Sequence, residues 1–236
     1  MKYVILAGGM GSRFSKEGVA TPKPMVEVSG EPMIGRLIGI LAKCGAEAIN
    51  VAANPRMEGF IPYLESLQEK YPYLSIRPII TDNSYNSLRA GTDGLEGKFV
   101  AMTVDAIFPI SEFKEYVKNV GEMKDCEVLM GLTRYVDDES PLYARINEDG
   151  EVVDYRYGGK PFEEGTIVSA GLYGLSSEAM KAVEDTGYYP ESLSDFQRTL
   201  AVKTAMKVRP YEFSCAFDVD NLHDLQEANR FITELK

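Results

Sequence analysis

The chain has 236 residues, of which 44% are hydrophobic and 26% charged, a balance that permits a full globular core. Twenty-five Lys and Arg against 36 Asp and Glu leave a net charge of −11. That argues against nucleic acid as a partner, because a phosphate backbone requires clustered cations, whereas a nucleotide requires only a locally positive pocket. No apolar run approaches the ~18 residues of a membrane span, and no signal peptide is expected. Cys44, Cys126 and Cys215 have no metal-ligand spacing. They are expected as core thiols of a cytoplasmic protein.

Strand-like and helix-like stretches alternate through the first half. Tyr3–Ala7 reads as a buried strand and ends in Gly8-Gly9-Met10-Gly11. Arg13 follows, and Lys23 stands between Pro22 and Pro24, which stiffen and extend its backbone. Val26–Val28 is a short extended piece, and Gly30-Glu31-Pro32 opens a helix to about Cys44, ended by Gly45. Glu47–Ala53 is a second strand, Pro55 starts a helix through Lys70, and Leu74–Ile80 is a third strand. A helix from about Ser84 to Gly94 leads to the fourth strand, Lys98–Val104. This rhythm predicts right-handed crossovers and a mainly parallel sheet.

In the second half, Ser111–Val120 is a helix and Cys126–Thr133 a strand. Tyr143–Asn147 and Glu151–Tyr155 flank Glu148-Asp149-Gly150, a hairpin signal. Ile167–Leu175 is a strand, Ser176 caps a helix through Asp185, and Pro190 starts another to about Lys203. Ala205–Arg209 and Tyr211–Phe217 are extended, and Leu222–Leu235 is a closing amphipathic helix. The expected architecture is α/β: one domain over 1–236, a three-layer αβα sandwich on a mainly parallel, mixed central sheet.

A glycine run after a buried strand presents backbone amides to phosphate oxygens. With a stiff lysine and a nearby arginine, it makes a polyphosphate site. Phe14 stands where a dinucleotide fingerprint needs glycine, and Gly-Lys-Ser/Thr of the P-loop is absent. The bland alternative, a strand-turn with a solvated Arg and Lys, does not call for the whole string. Leu6-Ala7-Gly8-Gly9-Met10-Gly11-Ser12-Arg13-Phe14 with Thr21-Pro22-Lys23-Pro24-Met25 resembles the signature of the nucleotidyltransferases that make NDP-sugars and related compounds. That group includes sugar-1-phosphate nucleotidylyltransferases, phosphocholine cytidylyltransferases and molybdenum-cofactor guanylyltransferases.

The resemblance implies a Rossmann-like fold of the nucleotide-diphospho-sugar transferase type. Its nucleotide-binding half would be about 1–110 and its acceptor-binding half about 111–236. It implies an enzyme that joins an NTP to a small phosphorylated acceptor, a sugar 1-phosphate foremost, with Mg2+ and release of pyrophosphate. Phosphocholine-type cytidylyl transfer and guanylyl transfer to a molybdenum cofactor stay open as alternatives, with a non-catalytic nucleotide-binding module more remote. A redox Rossmann enzyme is disfavoured by Phe14 and by the lack of an acid ending the second strand.

By the same resemblance, Leu6, Ala7 and Gly9 line the base pocket, while Arg13 and the Gly8–Gly11 amides hold the β- and γ-phosphates. Lys23 meets the α-phosphate and the acceptor phosphate. Asp105 ends the fourth strand, where open sheets bind ligands, and a carboxylate there suits Mg2+; Val104 replaces the family's usual glycine before it. Phe217-Asp218-Val219-Asp220-Asn221 is similar to the segment carrying the second metal carboxylate, and both Asp218 and Asp220 are candidates, with Asp220 preferred by register. Asp220 and Asn221 also fit a helix cap. Asn86 and Ser87 either read a base edge or cap the following helix. Lys160, Ser169, Gly171 and Tyr173 match acceptor-contacting motifs, although Gly159 and Ser169 replace the usual Glu and Asn. Arg145, Tyr155, Arg156 and Tyr157 offer further acceptor contacts or are plain surface hairpin residues. His223, the one histidine, supports no triad.

Overall fold

Apolar residues that alternate with glycine-terminated turns and amphipathic helices leave few ways to bury both faces of a sheet. The structure, a computed structural model, describes residues 1–136, 140–162 and 166–234. In chain order these form β1 (Lys2–Ala7), α1 (Ser12–Lys16), β2 (Glu27–Val28), β3 (Glu31–Pro32), α2 (Met33–Lys43) and β4 (Ala48–Ala53). Then follow α3 (Phe60–Lys70), β5 (Leu74–Pro78), α4 (Ser84–Thr92), β6 (Lys98–Thr103), β7 (Ala106–Ile107) and α5 (Ile110–Glu122). The remainder is β8 (Glu127–Thr133), β9 (Leu142–Ile146), β10 (Val152–Tyr157), β11 (Val168–Ser176), α6 (Ser177–Asp185), α7 (Leu193–Lys203), β12 (Lys207–Phe213), β13 (Phe217–Asp218) and α8 (Leu222–Glu234). The fold is α/β with a mostly parallel, mixed central sheet.

Two compact units divide the chain. One holds Lys2–Asp93, Met102–Ile107 and the segment from Asp218 onward; the other holds Gly94–Ala101 and Phe108–Phe217. In the first unit the strand order is β1-β4-β5, with both pairs parallel. Tyr3, Val4 and Ile5 of β1 are fully buried, and Val4 and Ile5 each stabilise the fold by roughly 1.5–3 kcal/mol. The α2 helix buries Met33, Ile34, Leu37, Ile38, Ile40 and Leu41, the apolar stripe of an amphipathic helix. The α4 helix packs on β1 and β4, and buried Asn50 of β4 donates to the Gly91 carbonyl (2.8 Å). The α8 helix packs on β2, and Asn229 accepts the amide of Ser29 (2.6 Å). That bond holds Ser29 at φ 54, a conformation unusual for a non-glycine residue.

In the second unit the order is β10-β9-β11-β6, with β8 paired to β11 and β12 to β8. The β9–β10 and β8–β11 pairs are antiparallel, and β8–β12 is parallel. An aromatic cluster builds its interior: Phe108 stacks on Phe113 with centroids 4.7 Å apart, and Tyr211 lies 4.9 Å from Phe213.

Several boundaries differ from the sequence expectations. Pro32 pairs with Glu27 in a small hairpin and precedes α2 rather than opening it. Pro55 begins a turn, not a helix: Asn54 Oδ1 takes the Arg56 amide, and Gly59, left-handed at φ 73, delays α3 to Phe60. The α7 helix starts at Leu193 because Ser192 caps it by accepting the Asp195 amide. The two extended pieces around Pro210 are one strand, β12, which can hold a proline because it pairs on one side only, with β8. Ser176 caps α6 as expected. Cys126 is exposed and Cys44 and Cys215 are half-buried, so none is the core thiol expected, and no disulfide joins the three. Leu235, the expected end of the last helix, lies outside the described residues. Among the described residues no helix is long and apolar enough to cross a membrane.

Candidate active site

The first unit gathers charged groups beyond the end of β1. The β1 strand delivers the chain into Gly8–Gly11, and the loop closes against two neighbours. A Cβ on Gly8 would come within 2.8 Å of Ser87 Oγ, and one on Gly11 within 2.6 Å of Lys23 Cβ. Gly11 also has φ 66 and begins α1. Both its conformation and its contact with Lys23 therefore require glycine.

Lys23 lies not on the expected extended segment but in a short 3-10 turn, with Pro24 in its first positions, and both are buried. Its Nζ forms ion pairs with Asp105 Oδ2 and with Asp220 Oδ1, the latter at 2.5 Å. Asp220 Oδ2 pairs with Arg13 Nη1. A backbone bond from the Val219 amide to the Asp105 carbonyl (3.1 Å) sets the two acidic segments side by side. Burial on its own would drive Lys23 toward its neutral form, but Asp105 and Asp220 outweigh it and raise the ammonium pKa above the ordinary lysine value. Burial likewise pushes the Asp105 carboxyl up, and the Lys23 charge and hydrogen bond reverse this, leaving it lowered. Near neutral pH Lys23 is thus a fixed cation and Asp105 a fixed anion.

Asp105 Oδ1 is buried with no hydrogen-bond partner. An orphaned carboxylate oxygen is costly unless something else occupies it. Asp105 and Asp220 converge on one cation, Lys23, and both offer hard oxygen donors. Among the described residues no group of three or more His, Cys, Asp or Glu could hold a metal by itself. The donor set fits Mg2+, which is commonly held by one or two carboxylates with substrate phosphates completing its shell. Asp218 Oδ1 instead accepts from the Thr103 hydroxyl (3.4 Å).

Leu6 and Ala7 are buried at the end of β1, and Gly9 is exposed with open space around it. Asn86 donates to Thr81 Oγ1 (3.0 Å), whereas the cap of α4 is Asn83, which accepts the Tyr85 amide. The capping alternative for Asn86 and Ser87 is therefore filled by another residue. At α8 the cap is Asn221, which accepts the His223 and Asp224 amides, while the Asp220 side chain turns to Lys23 and Arg13.

The second unit holds the residues expected at the acceptor. Ser169 of β11 donates to Gln197 of α7 (2.9 Å). Gly171 at φ 69 lies where the β11–β8 register shifts, and Tyr173 beyond it is buried. Lys160 is exposed, and its carbonyl accepts from Arg156. The Arg156 guanidinium sits 4.2 Å over the Phe162 ring, with Arg145 5.7 Å from the same ring. Arg145 also lines an open cavity of about 410 Å³ with Ile146, Asn147, Glu148 and Val153. Tyr157 is exposed, but Tyr155 is buried and not a surface residue.

Three residues were missed by sequence reasoning. Asn54, buried at the end of β4, donates to the Gly8 carbonyl and to Met10 Sδ, each at 3.4 Å, and so braces the glycine loop. Its signal was a polar residue directly after the apolar Val51-Ala52-Ala53 run. Asp224 reaches back to the Asp220 amide (2.8 Å), and the spacing Asn221-x-x-Asp224 carries the form of a capping box. Gln197 had no visible signal.

The sequence profile of the MobA-like NTP transferase domain matches residues 3–145. The mannose-1-phosphate guanyltransferase of Yarrowia lipolytica is 28% identical, over 78% of this chain and 52% of that protein. The 2-aminoethylphosphonate cytidylyltransferase of Lancefieldella rimae is 24% identical, over 94% of this chain and 89% of its own length. Among solved structures, the inositol-1-phosphate CTP transferase from T. maritima superposes with a TM-score of 0.77 at 20% identity, covering 100% of this chain and 96% of that one. The chain spans about half the length of the mannose-1-phosphate guanyltransferases it matches. With the family profile covering more than half of its residues, the chain belongs to the MobA-like NTP transferase domain family.

Proposed function

We propose that the chain is a Mg2+-dependent nucleotidyltransferase that joins an NTP to a small phosphorylated acceptor, a sugar 1-phosphate foremost, and releases pyrophosphate. The observation that carries this reading is buried Lys23, held between Asp105 and Asp220 beside the Gly8–Gly11 loop. The half over about 1–110 would bind the nucleotide and the half over about 111–236 the acceptor.

In this reading an acceptor phosphate oxygen attacks the α-phosphorus in line. The new P–O bond forms as the bond to the β-phosphate oxygen breaks, and pyrophosphate leaves with the electron pair. A phosphate monoester is already largely anionic at pH 7 (second pKa about 6), so no general base is required. Lys23, with its raised pKa, serves as a permanent cation at the α-phosphate and orients the acceptor. Arg13 and the glycine-loop amides hold the β- and γ-phosphates. Asp105 and Asp220 would hold Mg2+, which when bound would neutralise charge on the phosphates. Leu6, Ala7 and Gly9 line the base site, with Asn86 and Ser87 nearby on α4. Lys160, Ser169, Gly171 and Tyr173 would face the acceptor.

A second reading keeps the chemistry and changes the substrates to CTP and a small phosphonate or phosphate. Its support is that the 2-aminoethylphosphonate cytidylyltransferase matches nearly end to end. Pyrophosphate release with Mg2+ across CTP, UTP, GTP, ATP and dTTP, each with hexose 1-phosphates, phosphocholine and 2-aminoethylphosphonate, tests both. Release with one pair, lost in Lys23→Ala and Asp105→Asn, is the expected result. Absence of NTP binding by the folded wild type overturns the reading.

A further inference from the structure

The geometry points to Asp224 as a positioning residue that sets the Asp220 carboxylate against Lys23 and Arg13. The use made of that position rests on the nucleotidyl-transfer reading; the positioning itself does not. Six consecutive amides at the start of α8 are each assigned to an oxygen. The Val219 amide goes to the Asp105 carbonyl (3.1 Å) and that of Leu222 to Glu17 Oε2 (2.8 Å). Those of His223 and Asp224 go to Asn221 Oδ1 (2.8 and 3.0 Å). Asp224 Oδ2 takes the remaining two, Asp220 at 2.8 Å and Asn221 at 3.2 Å.

This differs from an ordinary capping box. There the carboxylate three residues after the cap, in the first turn, reaches back to the amide of the cap residue itself, which here is Asn221. Asp224 makes its shorter bond one residue earlier, to the residue whose side chain faces the candidate site. Asn221 alone would start the helix. Holding the Asp220 backbone is the additional effect of Asp224, and a short Asp side chain passes any backbone shift directly to its carboxylate. Asp224 is 8% exposed, and a carboxylate so buried is stabilised there by two amides and the positive end of α8.

The test compares Asp224→Ala, Asp224→Asn and, as a cap deletion in the other unit, Ser176→Ala. The Lys23 ammonium resonance in a 15N-lysine spectrum of ligand-free protein reports the ion pair with Asp220. Mn2+ affinity measured with CTP present reports the carboxylate's use. Both Ala variants are expected to lower Tm by about 2–4 °C, the effect of one lost cap. Only Asp224→Ala should shift the Lys23 signal, whose Asp105 partner remains, and weaken Mn2+ about 10–100-fold, as loss of an outer support does at metal sites. Asp224→Asn, which keeps an acceptor oxygen, should restore both. Asp224→Ala with an unchanged Lys23 signal, whatever its Tm, overturns the inference. If the Lys23 signal depends on Asp224 but wild type takes up no Mn2+ with any NTP, the positioning stands and the nucleotidyl-transfer reading falls.

Discussion

The glycine-loop region of the first unit and the β9–β11 region of the second handle charge in opposite ways. In the first, Lys23 is 8% exposed and paired with two carboxylates, and Gly8 and Gly11 leave no room for a side chain. In the second, Arg145, Arg156 and Lys160 are exposed, and two of them rest on one aromatic ring. Buried charges act at low dielectric and are strong only when every partner is in place. Exposed ones are screened and replaceable. A site built the first way suits chemistry common to a family; one built the second way suits a contact that changes with the acceptor.

The largest effect expected from this contrast is at Lys23. Lys23→Met should lower the rate of pyrophosphate release about 10²–10³-fold, the usual result of removing one preorganised charge donor. Lys160→Met should act mainly on the acceptor KM; equal kcat losses in the two variants would erase the contrast. Next comes the pair of acids. Asp220→Asn should weaken Mn2+ binding in the nucleotide complex about 10–100-fold, whereas Asp218→Asn, whose carboxylate meets Thr103, should change it far less. The reverse order would move the metal to Asp218.

Gly11→Ala should destabilise the fold by about 1–2 kcal/mol from its left-handed backbone alone, with the new Cβ also displacing Lys23. Urea unfolding together with NTP affinity would check both parts. The smallest effect is at Arg156→Ala, about 0.5–1 kcal/mol for an exposed cation–π contact, read as stability with nucleotide affinity unchanged.

The pH dependence of the buried pair follows from the two directions. Asp105 is lowered, so its stabilising contribution is present above the unfolded value near about 3.9 and is lost as pH falls through the folded one. Lys23 is raised, so its contribution is complete below about 10.4 and is lost as pH rises through its folded value. Stability should therefore be flat, as far as this pair is concerned, between these limits. In Asp105→Asn the acid limb should shrink, as a pH series of Tm would show.

Much of this was legible in the sequence because local rules and the final structure agree. Buried β1 ending in Gly8-Gly9-Met10-Gly11, the stiffened Lys23 and the strand-end Asp105 all follow from short-range pattern. The alternation of elements led to the α/β class. What was not legible depends on contacts between residues distant in the chain. Asp218 and Asp220 are two residues apart and identical in type; register preferred Asp220, but its contacts with Lys23 and Arg13 appear only in the structure. Asn54 and Gln197 matter through partners 46 and 28 positions away. The late starts of α3 and α7 were misread because proline was taken as the first helical residue, whereas Gly59 and Ser192 decide where those helices begin.

The most direct test of the central claim, that Asp105, Asp220 and Lys23 form one nucleotidyl-transfer site, is a crystal structure with Mn2+ and a non-hydrolysable NTP analogue. The account predicts an anomalous Mn2+ peak between the Asp105 and Asp220 carboxylates, and the Lys23 ammonium on the α-phosphate rather than between the acids. Nucleotide bound elsewhere, or Mn2+ absent with Lys23 still locked to both carboxylates, would contradict it.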